Sequence, residues 1–160
     1  MVALITPFHE DGSVNYDKLG ELIEWHIDQQ TDAILVLGTT AETPALTVTE
    51  EDEIARISIE AAGGRVPIIV GSGSNNTMIA MEQSIKYEKM VITPYYNKTN
   101  KSGMVNHFYT VADAVNIPIY VYNVPGRTGV SLTYEALAEI SKHKNIVGIK
   151  EASGDMSFIT

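Results

Sequence analysis

The sequence predicts an α/β protein built on a parallel β-sheet. Six short apolar runs alternate along the 160 residues with amphipathic segments of helical period. The runs begin at residues 2, 33, 67, 91, 117 and 146, so a strand recurs about every 30 residues. Repeated strand–helix units place their strands in parallel with right-handed crossovers. Six strands fit either a doubly wound sheet or most of a (β/α)8 barrel. A barrel needs about 250 residues, so the barrel alternative implies a truncated chain.

Each predicted element rests on a local sequence signal. Apolar residues at 19, 22, 23 and 27 follow the first run with helical spacing and polar residues opposite them, which predicts a helix. The second helix opens with Thr47-Val48-Thr49-Glu50, a capping-box pattern. Further helices are predicted over 77–90, 102–114 and 133–143. The predicted strands are 2–6, 33–37, 67–71, 91–93, 117–122 and 146–150.

One junction in this alternation is irregular. Lys89-Met90 runs directly into Val91-Ile92, and no turn residue separates the predicted helix from the predicted strand. The interval between strand starts is also shortest here. We therefore expect several residues to be missing between Met90 and Val91.

Composition excludes several classes of function. The formal net charge of −9, without any Lys/Arg cluster, argues against nucleic acid and against an anionic membrane as partner. Cysteine is absent, which excludes disulfides, thiolate metal sites and cysteine nucleophiles. The four histidines are scattered and form no metal-ligand motif, so no metal site is expected. No apolar run approaches the length of a membrane span, which favours a cytoplasmic protein.

Lys150 is the residue with the clearest chemical signal. It closes the run Ile146-Val147-Gly148-Ile149-Lys150, and the carboxyl ends of parallel strands are where α/β proteins build their sites. Desolvation by about three pKa units would make its amine neutral near pH 7 and able to attack a carbonyl group. The alternative from this strand alone is a surface lysine that opens a loop before Glu151.

Three other strand ends carry unusual residue sets. They are Gly38-Thr39-Thr40, Tyr95-Tyr96-Asn97 and Tyr122-Asn123-Val124-Pro125-Gly126-Arg127. Together with Gly148-Ile149-Lys150-Glu151, these motifs resemble the dihydrodipicolinate synthase family, within the class I pyruvate aldolases related to N-acetylneuraminate lyase. The resemblance runs in order through the whole chain and implies one domain over 1–160. That domain would be a TIM (β/α)8 barrel truncated to about its first six β/α units, without its last two strands and its C-terminal helical region.

The resemblance implies a lyase of lysine and diaminopimelate biosynthesis that condenses pyruvate with L-aspartate 4-semialdehyde. Lys150 would form a Schiff base with pyruvate, so no separate cofactor is expected. Tyr122, Thr39 and Tyr96 would form the proton relay beside the imine, because an isolated phenol with a pKa near 10 is a poor base. Thr40 would hold the pyruvate carboxylate.

Arg127 and Tyr96 carry two further implications. Arg127 matches the guanidinium that takes the carboxylate of the semialdehyde, a bidentate task suited to its planar fork. Sialic acid lyases resemble this region but lack that arginine. Tyr96 matches a tyrosine that reaches the site of a neighbouring subunit, which implies a homotetramer built as a dimer of dimers. Two alternatives remain: another pyruvate-dependent aldolase acting on sialic or 2-keto-3-deoxy sugar acids, and a non-catalytic partial barrel.

The chain also departs from the commonest family pattern. Ala41 replaces a usual glycine, a mild change provided that its φ is negative. Ile79 stands where lysine-inhibited members carry a glutamate that grips the effector, although Asn75 and Tyr95 match other effector contacts. We therefore expect weak or absent feedback inhibition by lysine.

Overall fold

The computed structural model describes residues 1–85 and 89–159, with the backbone alone at Lys89. It divides into two units, Met1–Gly71 and Ser72–Thr160. The first unit contains three strands and two α-helices: β1 (Val2–Ala3), α1 (Tyr16–Asp28), β2 (Ile34–Val36), α2 (Val48–Ala62) and β3 (Ile68–Gly71). Two 3-10 turns, Thr39–Ala41 and Thr43–Ala45, lie between β2 and α2.

The helices of the first unit begin where side chains satisfy free backbone N–H groups. The Asn15 side chain accepts from the N–H of Lys18 at the start of α1. At the start of α2 the Thr47 hydroxyl accepts from the Glu50 N–H, and the Glu50 carboxylate accepts from the Thr47 N–H. The predicted capping box is therefore confirmed. Gly63 ends α2 with a φ of 54°, in the left-handed region that favours glycine.

The strands of the first unit pair in parallel and in sequence order. Val2 lies opposite Ile34, and Ile34 lies opposite Ile68. All three residues of β2 are buried, which explains its unbroken apolar sequence. At the end of β3, a Cβ on Gly71 would lie 2.1 Å from the carbonyl oxygen of Leu37. The close approach of the β2 and β3 ends therefore requires glycine at position 71.

The second unit repeats the same alternation. Its elements are α3 (Thr77–Ser84), β4 (Lys89–Ile92), α4 (Lys101–Asp113), β5 (Ile119–Asn123), α5 (Pro125–Thr128), α6 (Tyr134–Ile140), β6 (Ile146–Glu151) and α7 (Met156–Ile159). Strands β4, β5 and β6 are parallel neighbours in sequence order. The core of the unit forms where α4 and α6 cover these strands, around Val91, Phe108, Val111, Ile119 and Ile140.

The helix and the strand on either side of the irregular junction have other bounds than the sequence predicted. Helix α3 ends at Ser84, and β4 begins at Lys89, so Met90 and Val91 are both inside the strand. The predicted helix end at residue 90 is therefore wrong, because backbone pairing with β5 already starts at Lys89. Residues 86–88 lie outside the described part of the chain. The missing segment remains a prediction.

Candidate functional site

Lys150 lies near the carboxyl end of β6 and is half-buried. Desolvation lowers the pKa of its amine, which increases the neutral fraction that can act as a nucleophile. Its Nζ lies 4.3 Å from the centre of the Tyr122 ring. An ammonium is attracted to a ring face, but such contacts are worth about 0.5–1 kcal/mol at exposed sites, less than the free energy of one pKa unit.

Tyr122 meets Lys150 because of an irregularity in the β5–β6 ladder. Ile119 pairs with Ile146, but Tyr120 pairs with Gly148, so Val147 is bulged out of the register. From there the pairing continues regularly and sets Tyr122 directly opposite Lys150. Tyr122 is 6% exposed, so the phenol next to the amine is itself largely removed from water. The structure thus brings together two of the predicted catalytic residues.

Two residues that the sequence reasoning missed follow this pair directly. Asn123 and Glu151 are opposite each other in the next rung of the ladder. The Asn123 side chain donates from Nδ2 to Oε2 of Glu151 over 2.8 Å. Their position, each one residue after a predicted site residue at a strand end, was the available signal. Side-chain alternation in a strand places this pair on the face opposite to Tyr122 and Lys150.

Arg127 is exposed and belongs to the short helix α5, which the sequence analysis did not predict. The helix ends at Gly129, whose φ of 71° is in the left-handed region. The buried Thr128 hydroxyl donates to the carbonyl of Val130 over 2.8 Å and fixes the backbone after the helix. The arginine is therefore carried on an ordered turn directly after β5, with its guanidinium accessible to an anion.

Tyr96 lies in the segment after β4 and is 84% exposed. Its backbone N–H donates to the carbonyl of Thr128 over 3.2 Å, which joins its loop to the end of the Arg127 helix. Its φ of 69° is unusual for a residue with a bulky side chain. The second predicted tyrosine is thus held at the Arg127 turn, and its ring extends into solvent.

Thr39 and Thr40 belong to the first unit, where they form the 3-10 turn that follows β2. Both are exposed, while Ala41 behind them is buried and its carbonyl accepts from the Thr6 hydroxyl over 2.8 Å. The turn is therefore anchored at its base and presents two hydroxyls at the carboxyl end of its strand. Alanine is tolerated at position 41 in place of glycine because its φ is not positive; the residue with a positive φ is the next one, Glu42.

The described residues contain neither a metal-binding cluster nor a membrane-spanning helix. No group of three or more His, Asp or Glu residues in ranges 1–85 and 89–159 could hold a metal ion. In the same ranges, no helix is both long and apolar enough to cross a membrane.

Comparison with known proteins gives one family. The model of the dihydrodipicolinate synthetase family matches residues 1–160. A 4-hydroxy-tetrahydrodipicolinate synthase of Thermoanaerobacter sp. (strain X514) is 50% identical over 162 residues, covering 97% of this chain and 54% of that protein. The chain thus spans about half the length of the curated relatives it matches.

Solved structures agree with this match. The crystal structure of dihydrodipicolinate synthase from Aquifex aeolicus superposes with a TM-score of 0.93 at 42% identity, covering 98% of this chain and 55% of that one. A structure described as a monomeric dihydrodipicolinate synthase variant superposes with a TM-score of 0.92 at 34% identity, covering 97% and 54%. The predicted fold class, six β/α units of a TIM barrel, is confirmed.

Proposed function

Because the chain belongs to the dihydrodipicolinate synthetase family, we propose that it carries the Schiff-base site of a 4-hydroxy-tetrahydrodipicolinate synthase. The reaction is the condensation of pyruvate with L-aspartate 4-semialdehyde, in lysine and diaminopimelate biosynthesis. One observation carries the proposal: the half-buried amine of Lys150, with its pKa lowered by desolvation, faces the ring of the buried Tyr122. The relatives do not favour the sugar-acid or sialic acid aldolase alternative.

The first step follows from the amine. Neutral Lys150 attacks the keto carbon of pyruvate, and loss of water gives a protonated imine. This cation draws electrons from the adjacent methyl group, so a methyl proton can be removed near neutral pH. The resulting enamine carbon attacks the aldehyde of the semialdehyde. Because the imine itself is the electron sink, the reaction requires no further cofactor.

Proton transfer falls to the phenol beside the imine. The Tyr122 ring lies against Nζ of Lys150, which makes its phenol the nearest titratable side chain that the structure shows at the amine. We assign the relay to Tyr122, Thr39 and Tyr96, since each supplies a hydroxyl that can both donate and accept. Thr40 is assigned to the pyruvate carboxylate, and the accessible guanidinium of Arg127 to the carboxylate of the semialdehyde.

Assembly is part of the proposal through Tyr96. Its exposed ring suits a residue that completes the site of a neighbouring subunit, as in a homotetramer of two dimers. A structural relative is described as a monomeric variant, so assembly differs among relatives of this fold. Sedimentation of the protein expressed from its complete gene, with and without Tyr96→Ala, tests whether this side chain supports the assembly.

Borohydride reduction in the presence of pyruvate, followed by peptide mass analysis, tests the central claim. We expect a reduced pyruvate adduct on Lys150 and none on Lys142, an exposed lysine whose pKa is raised by its hydrogen bond to Glu139. The internal comparison separates a specific imine from general amine chemistry. An unmodified Lys150 in folded protein, or equal modification of both lysines, contradicts the proposal.

A further inference from the structure

Asn123 and Glu151 form a buried polar connection next to the proposed reacting pair. Asn123 is 1% exposed, and both ends of its amide are used. Nδ2 donates to Glu151 Oε2 over 2.8 Å, and Oδ1 accepts from the N–H of Leu132 over 3.2 Å. The second carboxylate oxygen of Glu151 accepts from the N–H of Ser153 over 2.6 Å. The carboxylate is thus held from two sides, on β5 and on the turn after β6.

These contacts keep Glu151 ionised. Desolvation raises the pKa of its carboxyl group, but the hydrogen bonds from Ser153 and Asn123 outweigh desolvation, and the pKa is lowered overall. Hydrogen bonds to a charged acceptor are also the stronger kind. A full negative charge is therefore present one residue away from Lys150 along the chain.

The position of that charge matters for the amine. A carboxylate within about 4–6 Å of an ammonium favours the charged form and raises the pKa of the amine, which opposes the effect of desolvation on Lys150. Strand alternation directs the two side chains to opposite faces, but a glutamate at a strand end can rotate unless something holds it.

On the basis of the proposed function of Lys150, we propose that Asn123 is a positioning residue. It holds the Glu151 carboxylate on the sheet face opposite to the Lys150 amine, so that this carboxylate does not act as a counter-ion to the amine. Among the other ionisable side chains on the flanking segments, Tyr120 lies against Gly148 and Asp155 accepts from the Ser157 hydroxyl. Arg127 is exposed and positively charged, so it cannot be a counter-ion for the amine. Tyr122 alone among them faces Nζ.

The test measures the titration of Lys150 directly. Competitive labelling with trace acetic anhydride over a pH series, read out by peptide mass analysis, reports the pH at which Lys150 becomes reactive. It needs no pyruvate and uses the protein expressed from its complete gene. In Asn123→Ala the Glu151 carboxylate keeps only its contact with the Ser153 N–H, so its other oxygen can turn towards the amine, and we expect the midpoint to rise by about one pH unit. Imine formation at neutral pH then slows about tenfold.

The double variant N123A/E151Q separates charge from packing. It has the same cavity as N123A but no carboxylate at position 151. The Lys150 midpoint should therefore return to the wild-type value, while the melting temperature stays as low as in N123A. Glu151→Gln alone leaves the midpoint unchanged, because Gln still accepts from Asn123. A merely structural role for Asn123 would lower the melting temperature of N123A without moving the midpoint.

Should N123A not fold, Asn123→Asp tests the same contact. The aspartate at position 123 still accepts from the Leu132 N–H, but it has an oxygen that repels the Glu151 carboxylate where Asn123 has a donor, so the Lys150 midpoint rises. In the double variant N123D/E151Q the amide is at position 151 and the carboxylate at position 123, so the hydrogen bond forms again and the midpoint returns to the wild-type value. A folded N123A or N123D protein with the wild-type midpoint overturns the proposal, as does a rise that persists with E151Q. If pyruvate gives no adduct in the wild type, the proposed function fails, and the labelling result still decides the role of Asn123.

Discussion

His107 is expected to make the folded protein sensitive to mild acid. The imidazole is 3% exposed, and its Nδ1 lies 2.9 Å from the Thr77 hydroxyl, which links α4 to the first turn of α3. Its Nε2 has no hydrogen-bond partner among the described atoms. Desolvation lowers the pKa of His107 to about 4, although its interaction with the backbone of Ile92 favours the charged ring.

The sign of the effect follows from proton linkage. The folded state holds His107 neutral, whereas the unfolded chain takes up a proton at its ordinary pKa of 6.5. The stability associated with the neutral ring is therefore complete above pH 6.5 and is lost as pH falls towards about 4. Each pH unit in this window costs about 1.4 kcal/mol, so the loss approaches about 3 kcal/mol. For a typical domain that is a large fraction of the free energy of unfolding.

Urea unfolding at pH 7.5, 6 and 5 measures the loss, with His107→Asn as the test variant. Asn keeps a polar group near the Thr77 hydroxyl but does not titrate. We expect it to be less stable at pH 7.5, and to lose less stability than the wild type between pH 7.5 and 5. His9→Gln, which replaces an exposed histidine, controls for general effects of acid and should follow the wild type. Parallel curves for H107N and the wild type would refute the reasoning.

The remaining predictions concern packing, proton transfer and regulation. Gly71→Ala should destabilise the protein by about 2 kcal/mol or more, because its Cβ would collide with the Leu37 carbonyl. Gly20→Ala should stabilise the protein slightly, because position 20 lies on α1 with open space around the added Cβ. The melting temperatures of the two variants should therefore shift in opposite directions. Tyr122→Phe should still form the trapped imine but turn over about 100-fold more slowly, and unchanged turnover would exclude the phenol from the relay. Lysine added to the assay should inhibit weakly or not at all because of Ile79, and submillimolar half-inhibition would contradict this.

Local sequence signals predicted the elements well and their ends less well. Thr47 and Glu50 specify the start of α2 within four residues, so the prediction needed no tertiary information. The end of α3 has no such signal, and the helical pattern of the sequence continues to residue 90. There the pairing of Lys89 with Ile119 decides the structure, and a contact between residues 30 apart along the chain is invisible to local periodicity. The short helix α5 was missed because Pro125 and Gly126 together resemble a turn.

The proposed site shows the same limit at the level of single side chains. Lys150 and Tyr122 could each be identified from the sequence, but their meeting depends on the bulge at Val147. If the pairing of Ile119 with Ile146 continued without that bulge, Tyr122 would face Ile149, and Lys150 would join the Asn123 face of the ladder. The amine would then lie beside the Asn123 amide, and Glu151 would move to the face of Tyr122. One unpaired residue therefore decides whether the Lys150 amine has the Tyr122 ring or the Asn123 amide as its neighbour.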